Sequence, residues 1–350
     1  MPPRRYEKEF IRMGLLNDLA QKYKTISVVG MAKNAGKTTA LNYLIEEAMD
    51  EGIRLGVTSI GRDGETQDLV TGTEKPKIYL DQDTIVTVPT QLYDMADAGM
   101  EILKKTRYST PMGDLLICRV ADSGYVQIAG PPAAMDTKRV CEELFSYGCE
   151  LILIDGAIDR KAIASPETSD AIILSTGAAL SRNMKKVVEE TAHLVSLYSL
   201  DELEACPART QIEENLSQER ILLIKGDRAE ALDLKTGLGG SRFIDEAIDE
   251  DTEYVYIPGA FTNSVICDIS PKKLKQVRFI LKDPTKIFIN AMDWRKLRKK
   301  GFRINVLKNI KVAAVTVNPW SPGGYSFESE AMIAAMQEAI PGMQLIDVRK

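Results

Sequence analysis

The runs ISVVG (26–30), LILID (151–155) and AIILS (171–175) carry apolar residues at consecutive rather than alternate positions. A strand apolar on both faces needs cover on both faces, which is the condition of a parallel sheet flanked by helices. Further strand candidates lie at 55–60, 115–120, 125–129, 221–225, 254–257, 286–290, 312–317 and 344–348. Helical spacing fits 37–51, 135–147, 182–198 and 326–338 between them. This alternation predicts an α/β fold with a mostly parallel, doubly wound sheet and a further α/β part at the C-terminal end.

The expected organisation is an amphipathic helix in 1–24, a nucleotide-binding domain over 25–205, and 206–350 as a second α/β domain or a continuation of the sheet. Within the first domain, 62–113 is expected to be an inserted mobile loop leading to short strands. The polar, acidic stretch 199–220, which contains Pro207, marks a soft boundary.

Phosphate chemistry enters at residues 26–52. A strand that delivers the chain into a loop, and the loop into a helix, presents inward-facing N–H groups and the positive end of a helix dipole. Ile26–Val29 is the strand, and Leu41, Leu44, Ile45 and Ala48 give the following helix one apolar stripe. The loop residues Lys33, Asn34, Ala35, Gly36, Lys37, Thr38 and Thr39 then form a cradle. Lys37 reaches β- and γ-phosphates, and Thr38 supplies a hydroxyl for Mg²⁺. The usual motif places a glycine one residue later than Gly30, where this chain has Met31. Either the loop is one residue longer and turns at Gly30, or Met31 tolerates the geometry. One extra residue near Gly30–Met31 is expected, with Gly36 to Thr39 in the ordinary arrangement.

The metal also needs a carboxylate. LILID ends on Asp155, followed by Gly156, as expected of a strand that presents an acid to Mg²⁺. Asp63, in the glycine-flanked loop after 55–60, is the second candidate, to contact Mg²⁺ or order the attacking water. Lys37, Asp63 and Asp155 are therefore the expected catalytic residues, and Thr38, Asp155 and Asp63 the metal set. Arg62, Glu65 and Asp159 are weaker candidates from the same loops.

Other features exclude alternatives. His193 is the single histidine, which removes multi-histidine metal sites. Five scattered cysteines without a Cys-x-x-Cys pair suit reduced thiols in the cytoplasm. The net charge of −5 offers no global attraction to nucleic acid or anionic membranes, and no run is apolar enough to span a bilayer. The basic run 294–300 reads as a solvated helix face or a partner surface. NPWSPGGYSF (318–327) reads equally as a Pro/Gly turn or as the lining of a ligand crevice. Asn290-Ala-Met-Asp293 lacks the lysine of a guanine-reading motif and reads as a helix N-cap, so ATP is preferred over GTP.

KNAGKTT (33–39) resembles the loop of the MinD-, dethiobiotin-synthetase- and MobB-like class of P-loop proteins, and the resemblance extends to the Asp63 loop and the Asp155 strand. The wider stretches GYVQIAGP (124–131) and 150–195 are similar to the small reactivase subunit encoded with lysine 5,6-aminomutase in amino-acid-fermenting bacteria. That resemblance implies an ATPase that works with a MutS-like ATPase partner subunit to exchange damaged cobalamin in a cobalamin-dependent aminomutase. No Asp-x-His-x-x-Gly cobalamin motif is present, so the cobalamin would be the client's. The rival expectations are a ligase or kinase of the dethiobiotin-synthetase kind, with Arg62, Arg160 and Lys161 binding a small acid, and a scaffold that senses nucleotide without hydrolysis.

Overall fold

The computed structural model describes residues 15–60, 77–156, 166–234 and 237–348. These residues fall into two compact units, one formed by those up to 187 together with 312–348 and the other by those within 188–311.

The first unit opens with helix α1 (Leu15–Lys22), strand β1 (Thr25–Gly30) and helix α2 (Lys37–Asp50), followed by β2 (Leu55–Ser59). Then come β3 (Ile78–Leu80), β4 (Ile85–Pro89), β5 (Gly99–Thr110), β6 (Gly113–Asp122) and β7 (Gly124–Val126). Helix α3 (Ala134–Ser146) leads into β8 (Leu151–Asp155), then β9 (Ala171–Gly177) and helix α4 (Met184–Tyr198), which runs into the second unit.

The second unit continues with β10 (Leu222–Lys225), β11 (Arg228–Ala231), β12 (Tyr254–Ile257), β13 (Arg278–Leu281), helix α5 (Ala291–Lys299) and β14 (Arg303–Val306). The chain then returns to the first unit with β15 (Val312–Asn318), β16 (Trp320–Ser321), β17 (Tyr325–Ser326), helix α6 (Ser329–Ala339) and β18 (Leu345–Asp347).

The first unit is built on a nine-stranded sheet in the order β18-β15-β9-β1-β8-β2-β4-β6-β5. Strands β18 through β4 run parallel, and the β5–β6 hairpin adds two antiparallel strands at one edge. The fold is thus mixed α/β with a large, mostly parallel central sheet. The consecutive-apolar pattern has its physical counterpart: β2 and β9 are buried along their whole length, and Ala40, Leu41, Leu44, Ile45 and Ala48 of α2 are buried. From β1 the chain steps toward β2, whereas from β9 it steps toward β15. The winding direction therefore reverses between β1 and β9, and in such sheets the carboxyl ends at the reversal open a crevice for ligands.

The second unit has its own five-stranded sheet, β11-β10-β12-β13-β14, parallel from β12 to β14 and antiparallel at β10 and β11. Phe261, Phe279 and Phe302 meet at centroid separations of 5.2–5.8 Å and anchor its core. The polar stretch 199–220 lies inside this unit, and Pro207 occupies the first turn of a short helix, where its missing N–H costs nothing. His193 is structural here. Its Nε2 lies 2.9 Å from the Ile289 carbonyl oxygen, and its ring meets Trp294 edge-on.

Two local expectations are corrected. The run 286–290 is not a strand: after a 3₁₀ turn at 284–286 it makes a single bridge, Ile287 to Phe261, and Phe288 is 51% exposed. The cause is Asp283, whose carboxylate accepts from Thr285 N at 2.9 Å and, with Pro284, commits the chain to a turn. The insertion, for its part, carries one long strand rather than only short ones, since β5 spans twelve residues. Residues 61–76 lie outside the described residues, and so does the loop expected there. No helix among the described residues is long and apolar enough to cross a membrane.

Candidate functional site

The carboxyl ends of β1, β8, β2, β9 and β15 bring several expected site residues together. Register fixes them: Asp155 is level with Val28 of β1 and with Ser59 of β2, while Gly30 is level with Ser175 of β9. Asp155 is anchored through its backbone, where its carbonyl oxygen accepts from Ser59 Oγ at 3.0 Å and Ile60 N at 3.2 Å. Gly156 N donates to the Val28 carbonyl oxygen at 3.1 Å, which continues the pairing with β1 one residue past Asp155.

The loop 31–36 joins β1 to α2. Gly30 stays in the strand, and Met31 N donates to the Ser175 carbonyl oxygen at 2.9 Å. The chain does not turn at Gly30, which remains in β1. Neither Gly30 nor Met31 takes a positive φ, and the left-handed positions are Asn34 (φ 63) and Gly36 (φ 95). Asn tolerates this region through its short polar side chain, and Gly36 has no Cβ to clash. Lys33 is half-buried, Asn34 exposed, Ala35 buried, Thr38 half-buried and Thr39 exposed.

Gly36 is the N-cap of α2, with no side-chain cap and no acidic residue in the first turn. The first turn of that helix thus carries no carboxylate for its leading N–H groups, and the helix dipole favours an anion at this end. Lys37 lies beside them. Its Nζ sits 2.7 Å from Asp155 Oδ1 and 2.5 Å from the Gly156 carbonyl oxygen, with 17% and 24% of the two side chains exposed. The expected lysine and the expected carboxylate thus meet as an ion pair in a half-buried setting. An ammonium, oriented N–H groups, a hydroxyl and a carboxylate are together able to hold a polyphosphate and its metal.

Asp63, Arg62, Glu65, Asp159, Arg160 and Lys161 lie outside the described residues. One residue beside the site belongs to the stretch 318–327, read as a turn or a crevice lining with no role for this position. Asn318, at the end of β15, has its side chain against Gly36. The sequence signals are a polar residue closing the apolar run 312–317 and its place at the head of 318–327. Asn290 and Asp293, in the second unit, form the expected cap: Asn290 Oδ1 accepts from Asp293 N at 2.9 Å. The Asp293 carboxylate accepts from Asn290 Nδ2 and Asn263 Nδ2, and these bonds hold its pKa below the usual carboxylate range.

Comparison with family models, curated proteins and solved structures finds no match to this chain.

Proposed function

We propose that this chain binds a nucleoside triphosphate with Mg²⁺ at a P-loop formed by residues 31–39, and that it hydrolyses it. The observation that carries the reading is the Lys37–Asp155 pair at the start of a helix with no side-chain cap, beside the winding reversal of a parallel sheet. A chance Gly-Lys-Thr sequence would have no reason to meet a carboxylate at the end of the neighbouring strand.

In this reading Lys37 leaves Asp155 to bind β- and γ-phosphate oxygens, and the N–H groups of 34–39 cradle the remaining charge. Thr38 and Asp155 would hold Mg²⁺. One hydroxyl and one carboxylate suit this ion, which takes its other ligands from phosphate and water. Bound there, the metal supplies charge neutralisation on the triphosphate. Asp63 remains the candidate for ordering the attacking water. ATP is preferred over GTP, because Asn290 and Asp293 are engaged with each other in a helix cap.

The narrower role is reactivation of a cobalamin-dependent aminomutase with a partner ATPase subunit. It is supported by the resemblance of residues 124–131 and 150–195 alone. Its test is restoration of turnover in an inactivated aminomutase by this chain, the partner subunit and ATP.

The site itself is tested by thermal shift with MgATP and MgGTP, using Lys37→Ala as control. Ligand at a hundred times its Kd stabilises by about 2.7 kcal/mol, so saturating nucleotide raises the wild-type midpoint and leaves Lys37→Ala unmoved. No shift with either nucleotide refutes the site. Phosphate release without an acceptor separates hydrolysis from ligase chemistry, which would release phosphate only with a small acid present.

A further inference from the structure

We propose that Asn318 is the positioning residue of the phosphate loop, an inference that rests on the phosphate site proposed above. Asn318 closes β15 level with Gly177, the last residue of β9. Its side chain lies against the exit of the loop. A methyl group at Gly36 would stand 2.9 Å from Asn318 Cβ and 3.2 Å from Nδ2. A methyl group at Gly177 would stand 2.2 Å from the Asn318 carbonyl oxygen and 2.9 Å from its Cβ. Gly36, in the loop, therefore makes room for the Asn318 side chain, and Gly177, at the end of the strand between, chiefly for its backbone.

Asn318 is itself held in place. It is 4% exposed, and its Oδ1 accepts from Trp320 N at 3.1 Å, so its amide has a fixed orientation. The loop is tied at its entry by Met31 N on the Ser175 carbonyl oxygen and seated at its exit on Asn318. Gly36 immediately precedes Lys37 and is the N-cap of α2. A shift of Gly36 would rotate the first helical N–H groups and carry the lysine with them. Asn318 acts through Gly36 and not through contact with the ligand.

The full chain is tested as Asn318→Ala and as Asn318→Asp, which keeps the shape and the acceptor for Trp320 N. Hydrogen exchange of the 34–39 amides is followed without ligand, and affinity is measured for inorganic tripolyphosphate and for MgATP. Asn318→Ala is expected to speed exchange at 34–39 and at Trp320, whose N–H loses its acceptor, with the rest of the chain as in wild type. It weakens tripolyphosphate and MgATP in parallel, about tenfold, as for freeing roughly one residue of ordered backbone. Asn318→Asp restores wild-type exchange.

Unchanged exchange at 34–39 in Asn318→Ala overturns the proposal. So does a loss confined to MgATP with tripolyphosphate binding intact, since that would place Asn318 against the rest of the nucleotide. If Asn318→Ala does not fold, Asn318→Ser is read in the same assays. A wild-type chain that binds neither tripolyphosphate nor MgATP refutes the phosphate reading itself, and exchange still decides whether Asn318 seats Gly36.

Discussion

Replacing Asp155 by asparagine separates the two tasks assigned to this carboxylate. In the ligand-free protein Asp155 neutralises Lys37 across 2.7 Å, with both side chains mostly shielded from solvent. A hydrogen bond to a charged group contributes about 1.5–3 kcal/mol, roughly twice a neutral one. Asparagine keeps the acceptor oxygen and removes the charge, so about 1.4 kcal/mol of the hold on Lys37 is released. Metal-free ATP, which must draw Lys37 away, then binds about tenfold more tightly to Asp155→Asn than to wild type. With Mg²⁺ the order reverses, because the variant has lost a metal ligand. Titration calorimetry with ATP in excess EDTA, and again in Mg²⁺, reads both effects. Metal-free ATP binding no tighter to the variant than to wild type would refute the reasoning, because the pair would then not compete with phosphate.

Further outcomes can be measured separately. Gly130→Ala would bring a methyl group within 1.6 Å of the Ser59 carbonyl oxygen, so the β2 terminus must move, at a cost of about 2–4 kcal/mol in chemical denaturation. Asn290→Ala loses the helix cap and about 1 kcal/mol of stability, and leaves the ATP-to-GTP affinity ratio unchanged if that residue reads no base. Burial pushes the Cys118 and Cys141 thiols up from 9.0 to about 12 and that of Cys149 to about 11. Native protein at pH 8 should therefore show rapid thiol labelling only at half-buried Cys206 and exposed Cys267. Burial likewise raises Tyr198 and Tyr256 from 10.0 to about 12. Between the unfolded and folded values the native state binds more protons than the unfolded one, so stability falls as pH rises from about 9 toward 12. Denaturation midpoints across that range check the sign.

Gly36, Lys37, Thr38 and Asp155 can be read from the amino-acid sequence because each is announced by its own neighbours: a strand before, a helix after, or four apolar residues ahead of an acid. The seat of Gly36 cannot be read this way, since Asn318 is brought to it by sheet order, 282 positions along the chain from Gly36. Strand β5 hides for a different reason. Glu101, Lys104, Lys105 and Arg107 make it look like a loop, yet charged residues suit the outermost strand of a sheet, where they discourage pairing with another chain. Strands β13 and β14 are only four residues long and follow lysine-rich stretches, so their buried segments are too brief for periodicity to reveal. At 286–290 the error runs the other way: alternating Ile and Phe suggest a strand where the Asp283 cap has already turned the chain.

The return of 312–348 to the first sheet also sets an order of events during synthesis. Strand β9, buried along all seven residues, pairs with β15 on one side, and β15 leaves the ribosome only after the whole of 188–311. Until then β9 is an apolar edge with unpaired backbone, open to other chains, and the loop at 31–36 lacks the residue on which Gly36 rests. A nascent chain stopped before residue 312 carries every residue of the Gly-Lys-Thr-Thr sequence and no seat for it. In the interval between making the motif and completing its support, the open edge of β9 is a point at which other chains can pair.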